Sequence, residues 1–267
     1  MRVPSARVVL FNAAAVLVAV AAVVAVVRSY LVSSAATPCS ARYLTSMTFP
    51  LERNGVMLTA TDIQARASGG DATLTDSLEI VRLEGAPVPV MRVNLPKGGM
   101  SFAWQPRSMR GQAAVCLGYR LQLPADFDFG LGGDLPGLAG QADHEGDRFL
   151  VQPTWAQGGA LTATSRTTLG GKADTQVLDG DGSAIPRGRW VSVEQEIVLN
   201  APDQRNGLLR VWLDGRLALE QADLAFRATA DVGVAGVAAD VRRNDTASAR
   251  SEPDARVLLS PFEVRWR

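Results

Sequence analysis

The sequence predicts an all-β sandwich or jelly roll preceded by one N-terminal transmembrane helix. Three observations carry that prediction: an uninterrupted apolar run near the start, short alternating segments broken by Gly, Pro, Asp and Asn beyond Pro50, and no amphipathic helical pattern in that stretch. The 267 residues are 47% hydrophobic and 20% charged, values that suit a globular chain and exclude gross disorder.

From Val8 to Val27 the chain runs twenty residues without a charge and with one polar side chain, Asn12. At about 1.5 Å rise per residue, such a helix spans a hydrocarbon core of about 30 Å. Arg2 and Arg7 precede it and Arg28 follows, so the positive charges favour a cytoplasmic start and export of the remainder. The expected arrangement is a single-pass inner-membrane protein of bacterial type, with residues 1–36 as stub and anchor and residues 37–267 as a periplasmic or extracellular domain. Ser34-Ala35-Ala36 offers small residues to a peptidase, and cleavage near Ala36 would make the domain secreted. In an oxidising compartment Cys39 and Cys116 are compatible with one disulfide, although a buried free cysteine is the alternative for either.

The strands follow in order. Leu117, Tyr119, Leu121 and Leu123 share one face, Arg120 and Gln122 share the other, and Pro124 ends the segment. The stretch from Ala125 to Gly140 is rich in Gly and Asp and reads as a loop. From Trp190 to Leu199, Val191, Val193, Ile197 and Leu199 point inward, while Ser192, Glu194 and Glu196, with Arg120, are expected on a solvated face. Leu208–Leu213 and Arg216–Leu219 flank Asp214-Gly215, the two-residue loop of a type I′ hairpin. The last strand is expected over Val257–Trp266, with an edge position or a bulge at Pro261. Asn244–Asp254 is polar and reads as a second loop.

Charge excludes one class of partner. With 27 basic and 27 acidic residues the chain is formally neutral, so nucleic acid is not an expected ligand. The basic residues are almost all arginine, since the only lysines are Lys97 and Lys172. Two cysteines and one histidine, His144, give no zinc spacing. With no nucleophile elbow or phosphate-binding loop either, no metal or cofactor is expected.

Several segments, taken in order, resemble the family 14 polysaccharide lyases, the alginate-lyase type. They are Met91-Arg92-Val93-Asn94-Leu95-Pro96-Lys97-Gly98, the run from Tyr119 to Phe129, Gly132-Gly133-Asp134-Leu135-Pro136-Gly137-Leu138, Gly188-Arg189-Trp190, Val198-Leu199-Asn200, Val211–Arg216, and the closing Phe262-Glu263-Val264. The resemblance implies a concanavalin-like β-jelly roll and a polysaccharide ligand. It also implies a Lys inside a Gly-Gly-Lys-Leu-Pro-Gly-Leu run, a Ser-x-Arg pair on the next strand before a Trp, and a Tyr-x-Tyr pair on the strand after.

This chain departs at each place. Asp134 stands at the lysine position, Leu150 and Gln152 stand for the Ser and Arg, and Thr162 and Thr164 stand at the tyrosine positions. A uronate lyase must neutralise a carboxylate before it can remove the neighbouring proton. Exchanging a lysine for Asp134 alters the local charge by two units, each worth about 4 kcal/mol at 4 Å in an effective dielectric near 20. Attraction for an anionic sugar becomes repulsion.

The leading expectation is therefore an exported domain that binds a polysaccharide in a groove near Asp134, His144, Gln152 and Trp155, with Thr162, Thr164 and Arg166 as further contacts, without the family's elimination chemistry. Trp155 is the aromatic candidate for stacking on a sugar ring. The alternative is an active lyase or glycoside hydrolase with relocated groups: His144 as general base, Arg148 to neutralise a carboxylate, and Asp134 paired with Glu145 or Asp147 across a groove. A third possibility is an envelope scaffold with no sugar ligand. Setting aside Arg2, Arg7 and Arg28, the exported part holds 24 basic and 27 acidic residues, a net of −3, which favours a neutral or weakly charged glycan.

Overall fold

The computed structural model describes residues 20, 37–66, 74–142, 146–244 and 255–267. The chain divides into two units, Met1–Thr37 and Pro38–Arg267. The membrane helix expected over residues 8–27 falls, apart from Val20, outside the described residues. Among the described residues no helix is long and apolar enough to cross a membrane.

The second unit is a β-sandwich whose strands all pair antiparallel. The first sheet runs Arg216–Leu224, Gly207–Leu213, Trp190–Val198, Ala114–Gln122, Arg256–Leu259, Val90–Asn94 and Leu78–Val81, with Glu263–Trp266 also on Ala114–Gln122 and Thr45–Thr48 outside it. The second runs Lys172–Ala184, Ala160–Leu169, Arg148–Ala156, Gly137–Gln141, Gly233–Ala238 and Ala103–Trp104. Gly132–Asp134 joins it by pairing with Arg148–Ala156 and Arg242–Arg243.

Period-two alternation builds the core between the sheets. Val115, Leu117, Tyr119 and Leu121 of the first sheet face Phe149, Val151, Trp155, Leu161 and Ala163 of the second, and all are buried. Gln195, on the inner face of Trp190–Val198, is fully buried and donates through Nε2 to the Val151 carbonyl at 2.9 Å, tying one sheet to the other. The Asp214-Gly215 turn has φ of 50° and 76°, as a type I′ loop requires.

Four expectations change. The final segment is two strands, because Pro261 has no N–H for the ladder; Arg256–Leu259 and Glu263–Trp266 pair with successive parts of Ala114–Gln122, and Ser260 bridges the gap through Arg120. The Ala125–Gly140 stretch is not all loop, since Gly132–Asp134 and Gly137–Gln141 are strands. Its glycines serve close approach: a Cβ on Gly133 would run into the Trp155 ring and the Arg242 carbonyl. Two short helices occur among the described residues, Ala60–Arg66 and Leu74–Ser77. The first is capped by Thr59, whose Oγ1 accepts from the Asp62 N–H at 3.1 Å while Asp62 accepts from the Thr59 N–H at 2.8 Å.

The fourth change concerns the face expected to be solvated. Cys39 and Cys116 form a disulfide with Cα atoms 5.7 Å apart. It holds Pro38–Tyr43 against the outer face of the first sheet. Glu194 accepts from the Ser40 N–H and hydroxyl, both at 2.9 Å. Glu196 is 1% exposed and accepts from Arg42 at 2.7 Å, Tyr43 at 2.6 Å and Arg210 at 3.3 Å. Beneath, Cys39, Tyr43, Cys116 and Trp212 make a small second core.

Candidate functional site

The outer face of the second sheet gathers most of the candidate residues. On Arg148–Ala156, Phe149, Val151 and Trp155 point into the core, so Arg148, Leu150, Gln152 and Thr154 point outward. Register carries the same face across the sheet: Thr154 lies opposite Thr162, Gln152 opposite Thr164, and Leu150 opposite Arg166. On the other side Asp134 lies between Thr154 and Arg242. Thr175, Val177 and Asp179 extend the face along the long edge strand.

Gln152 sits at the centre of a hydrogen-bonded row and is 1% exposed. It accepts from Arg166 at 3.0 Å and donates through Nε2 to Asp240 at 3.0 Å, with a longer contact to the Leu135 carbonyl at 3.5 Å. Ser101 donates to the other Asp240 oxygen at 2.5 Å. The Thr154 and Thr162 hydroxyls pair at 2.8 Å. The amide fits this position because it donates to a carboxylate on one side and accepts from a guanidinium on the other.

Asp134 is half-buried, and no side chain or N–H among the described residues hydrogen-bonds its carboxyl. Burial raises its pKa above the ordinary aspartate value; Arg166 opposes that shift, Asp240 adds to it and Arg242 opposes it. Thr164 is 9% exposed and its hydroxyl likewise has no partner among the described residues.

The remaining candidates separate. Trp155 is no sugar platform: its ring is 2% exposed, packs edge-on to Phe127, and donates through Nε1 to the Phe129 carbonyl at 3.0 Å, so it offers no face to a ligand. Asp147 does not serve as a glycosidase carboxylate, because its oxygens accept from the Gly170 and Ala228 N–H groups at 2.8 and 3.1 Å and pin two loops. Arg148 is exposed at the strand's start. His144 and Glu145 lie outside the described residues. The tyrosines that are described sit elsewhere: Tyr119 is buried and donates to the Pro136 carbonyl, and Tyr43 donates to Glu196. Burial drives the phenol pKa of each well above the usual range, with Glu196 adding to the shift at Tyr43. Among the described residues the one set of side chains close enough to share a metal ion is Cys39, Cys116 and Glu194, and its sulfurs are bonded to each other.

Asp240, Ser101 and Arg242 were not legible as site residues. Asp240 follows the Gly233–Ala238 strand of small apolar residues, and Ser101 lies far from it in sequence; only the sandwich brings them together. A carboxylate after a strand of Gly, Val and Ala is the one local signal available.

The fold matches known structures. The PL-14 alginate lyase from Aplysia kurodai superposes with a TM-score of 0.64 at 16% identity, over 84% of this chain and 99% of that one. A double mutant of alginate lyase Aly36B, in complex with an alginate trisaccharide, gives 0.61 at 16% identity over 84% and 98%. The endo-β-1,4-glucuronan lyase from the fungus Trichoderma reesei gives 0.52 at 11% identity over 84% and 96%. No curated protein matches the chain in sequence. The polysaccharide lyase 14 family model matches residues 78–150 and 170–241, more than half of the chain, and its matched ranges include Asp134 and Asp240. The chain belongs to the polysaccharide lyase 14 family.

Proposed function

We propose that this chain is an exported, membrane-anchored member of the family that binds a polysaccharide on the outer face of its second sheet without carrying out β-elimination. The observation that carries this reading is the Arg166–Gln152–Asp240–Ser101 row. Arg166 gives one N–H to Gln152, Asp134 stands where the family places a lysine, and the described tyrosines, Tyr43 and Tyr119, lie elsewhere, so no such base stands on this face among the described residues. Elimination needs a free cationic group at the carboxylate and a base at the neighbouring proton. A row of hydroxyls, amide and carboxylates suits sugar hydroxyls instead. The relatives' alginate and glucuronan chemistry supports a glycan as ligand, since the frame that positions the face is shared.

Residues 8–27 would anchor the domain in the inner membrane with the N-terminus cytoplasmic, and the Cys39–Cys116 disulfide supports an oxidising compartment for the remainder. The unit Pro38–Arg267 is to be incubated with uronate and neutral polysaccharides while product and melting temperature are followed. The expected result is a raised melting temperature with at least one glycan and no unsaturated product. Absorbance growth from unsaturated ends overturns the non-catalytic reading. New reducing ends without unsaturation would make the protein a hydrolase, and no thermal shift with any glycan would favour the scaffold.

A further inference from the structure

We propose that the cleft between the two sheets beside the Gly170-Gly171 turn binds a monosaccharide-sized oxyanion that carries hydroxyls, a sugar acid or a sugar phosphate, with Lys172 and Arg205 holding its charge. This site is separate from the outer face of the second sheet and does not depend on what that face binds.

The inward face of the last two strands of this sheet changes character along its length. Ala160–Leu169 and Lys172–Ala184 first present Leu161, Ala163 and Leu178 to the core, all buried. Further along the same face the register pairs Ser165 with Gln176, Thr167 with Asp174 and Leu169 with Lys172. These positions do point inward, since Ser165 and Thr167 lie opposite the core residues Val151 and Phe149. Strands that served only the core would be apolar here. Instead the polar side chains line a cavity of about 220 Å³ whose other wall includes Leu224 and Arg205. That volume lies below the ~300–1,000 Å³ common for drug-sized ligands and suits a single sugar ring.

Charge sets the class of ligand. Asp174 accepts from Gln176 Nε2 at 2.7 Å, whereas Lys172 and Arg205 make no ion pair among the described residues. Two cations, one from each wall, therefore share the cavity with one carboxylate, and an oxyanion between them offsets the surplus through charge-assisted hydrogen bonds. Asp174, Gln176 and the Ser165 and Thr167 hydroxyls are left for the ligand's hydroxyls, and Leu169 and Leu224 for the apolar side of its ring. The walls are fixed before binding. Asp147 accepts from the Gly170 N–H at 2.8 Å and the Ala228 N–H at 3.1 Å, tying the turn to the segment that follows Leu224. Asn200 donates to the Gln204 carbonyl at 3.0 Å and Asn206 accepts from the Ala201 N–H at 2.8 Å, which holds the loop carrying Arg205. A preformed cleft lowers the ordering cost of binding.

Calorimetric titration of the full chain in detergent tests this with three ligands that share one ring: glucuronate, glucose 6-phosphate and glucose. At least one of the two anions should bind about tenfold or more tightly than glucose, the equivalent of one charge-assisted hydrogen bond, and the tighter of them tells a sugar acid from a sugar phosphate. Its affinity should fall as salt is raised. Lys172→Gln and Arg205→Gln, both at exposed positions, should each weaken that anion several-fold while leaving the melting temperature and any polysaccharide binding unchanged. Glucose bound as tightly as both anions, or neither anion bound, overturns the proposal. So does an anion affinity that neither substitution alters, because the anion would then sit elsewhere.

Discussion

Replacing both Cys39 and Cys116 by Ser should lower the melting temperature of the Pro38–Arg267 unit by about 9 °C. The bridge closes a loop with a sequence separation of 77. In the chain-entropy treatment such a loop restricts the unfolded chain by about 15 cal/mol/K, or about 4.5 kcal/mol at 25 °C. The unit has 230 residues, and at about 2.1 cal/mol/K per residue its unfolding entropy is about 0.48 kcal/mol/K. The ratio of the two gives the shift. The folded form should survive, because Glu194 and Glu196 still hold Ser40, Arg42 and Tyr43 without the sulfurs. Scanning calorimetry of the oxidised protein and the double variant at one pH measures the shift, and a thiol titration of the unfolded oxidised protein should find none. A change under about 2 °C with the bridge intact in the parent would refute the reasoning, since the unfolded chain would then gain no freedom from losing it.

Glu196→Gln should destabilise the unit by about 3 kcal/mol, because it leaves Arg42 and Arg210 facing a neutral amide at a buried position; an unchanged urea midpoint would contradict that. Gly133→Ala should cost about 2 kcal/mol or more, since its Cβ would meet the Trp155 ring and the Arg242 carbonyl. Its check is the melting temperature, and a variant as stable as the parent would show that the Gly132–Asp134 strand does not pack so closely. For Asp134→Asn the sign comes from linkage: the unfolded carboxyl ionises near 3.8 and the folded one at higher pH. Between those values the unfolded chain holds fewer protons, so the parent loses stability as pH rises through the window and has lost none below it. Asp134→Asn should therefore be more stable than the parent at pH 7, with the difference shrinking towards pH 3; a difference independent of pH would remove the burial argument.

What the sequence disclosed and what it withheld divide along a physical line. The Asp214-Gly215 hairpin was legible because positive φ at two adjacent residues is a local requirement with a local solution. The inward faces of Ala114–Gln122 and Trp190–Val198 were legible because alternation needs only the strand itself. The outward face of Trp190–Val198 was not. Nothing near Glu196 marks it as buried, because the residues that cover it, Arg42 and Tyr43, come from about 150 positions earlier. Trp155 failed for a related reason. An aromatic beside a polar row suggests a platform, and only the pairing of Gly132–Asp134 with the strand beneath shows that the ring fills the space its glycines leave. Asp134, Gln152, Thr162 and Thr164 were placed on one face because family resemblance supplied the strand register; Asp240 had no such guide.

The two outer faces of the sandwich handle charge in opposite ways, and that contrast bears on function. On the first sheet the buried carboxylate of Glu196 is met by two guanidinium groups and a phenol, and the Pro38–Tyr43 segment closes over it. On the second sheet the order is reversed: a guanidinium is met by an amide, the amide by a carboxylate, and a second carboxylate, Asp134, has no hydrogen bond among the described residues. The first arrangement completes its bonds within the fold, which is what stability asks of a covered face. The second leaves acceptors at a half-buried surface, a cost in the free protein that a donor-bearing ligand would remove. Structural need alone would favour Asn at 134, which would carry no charge to desolvate. The charge of an aspartate there is offset in part by Arg166 and Arg242, the two guanidinium groups that oppose the effect of its burial.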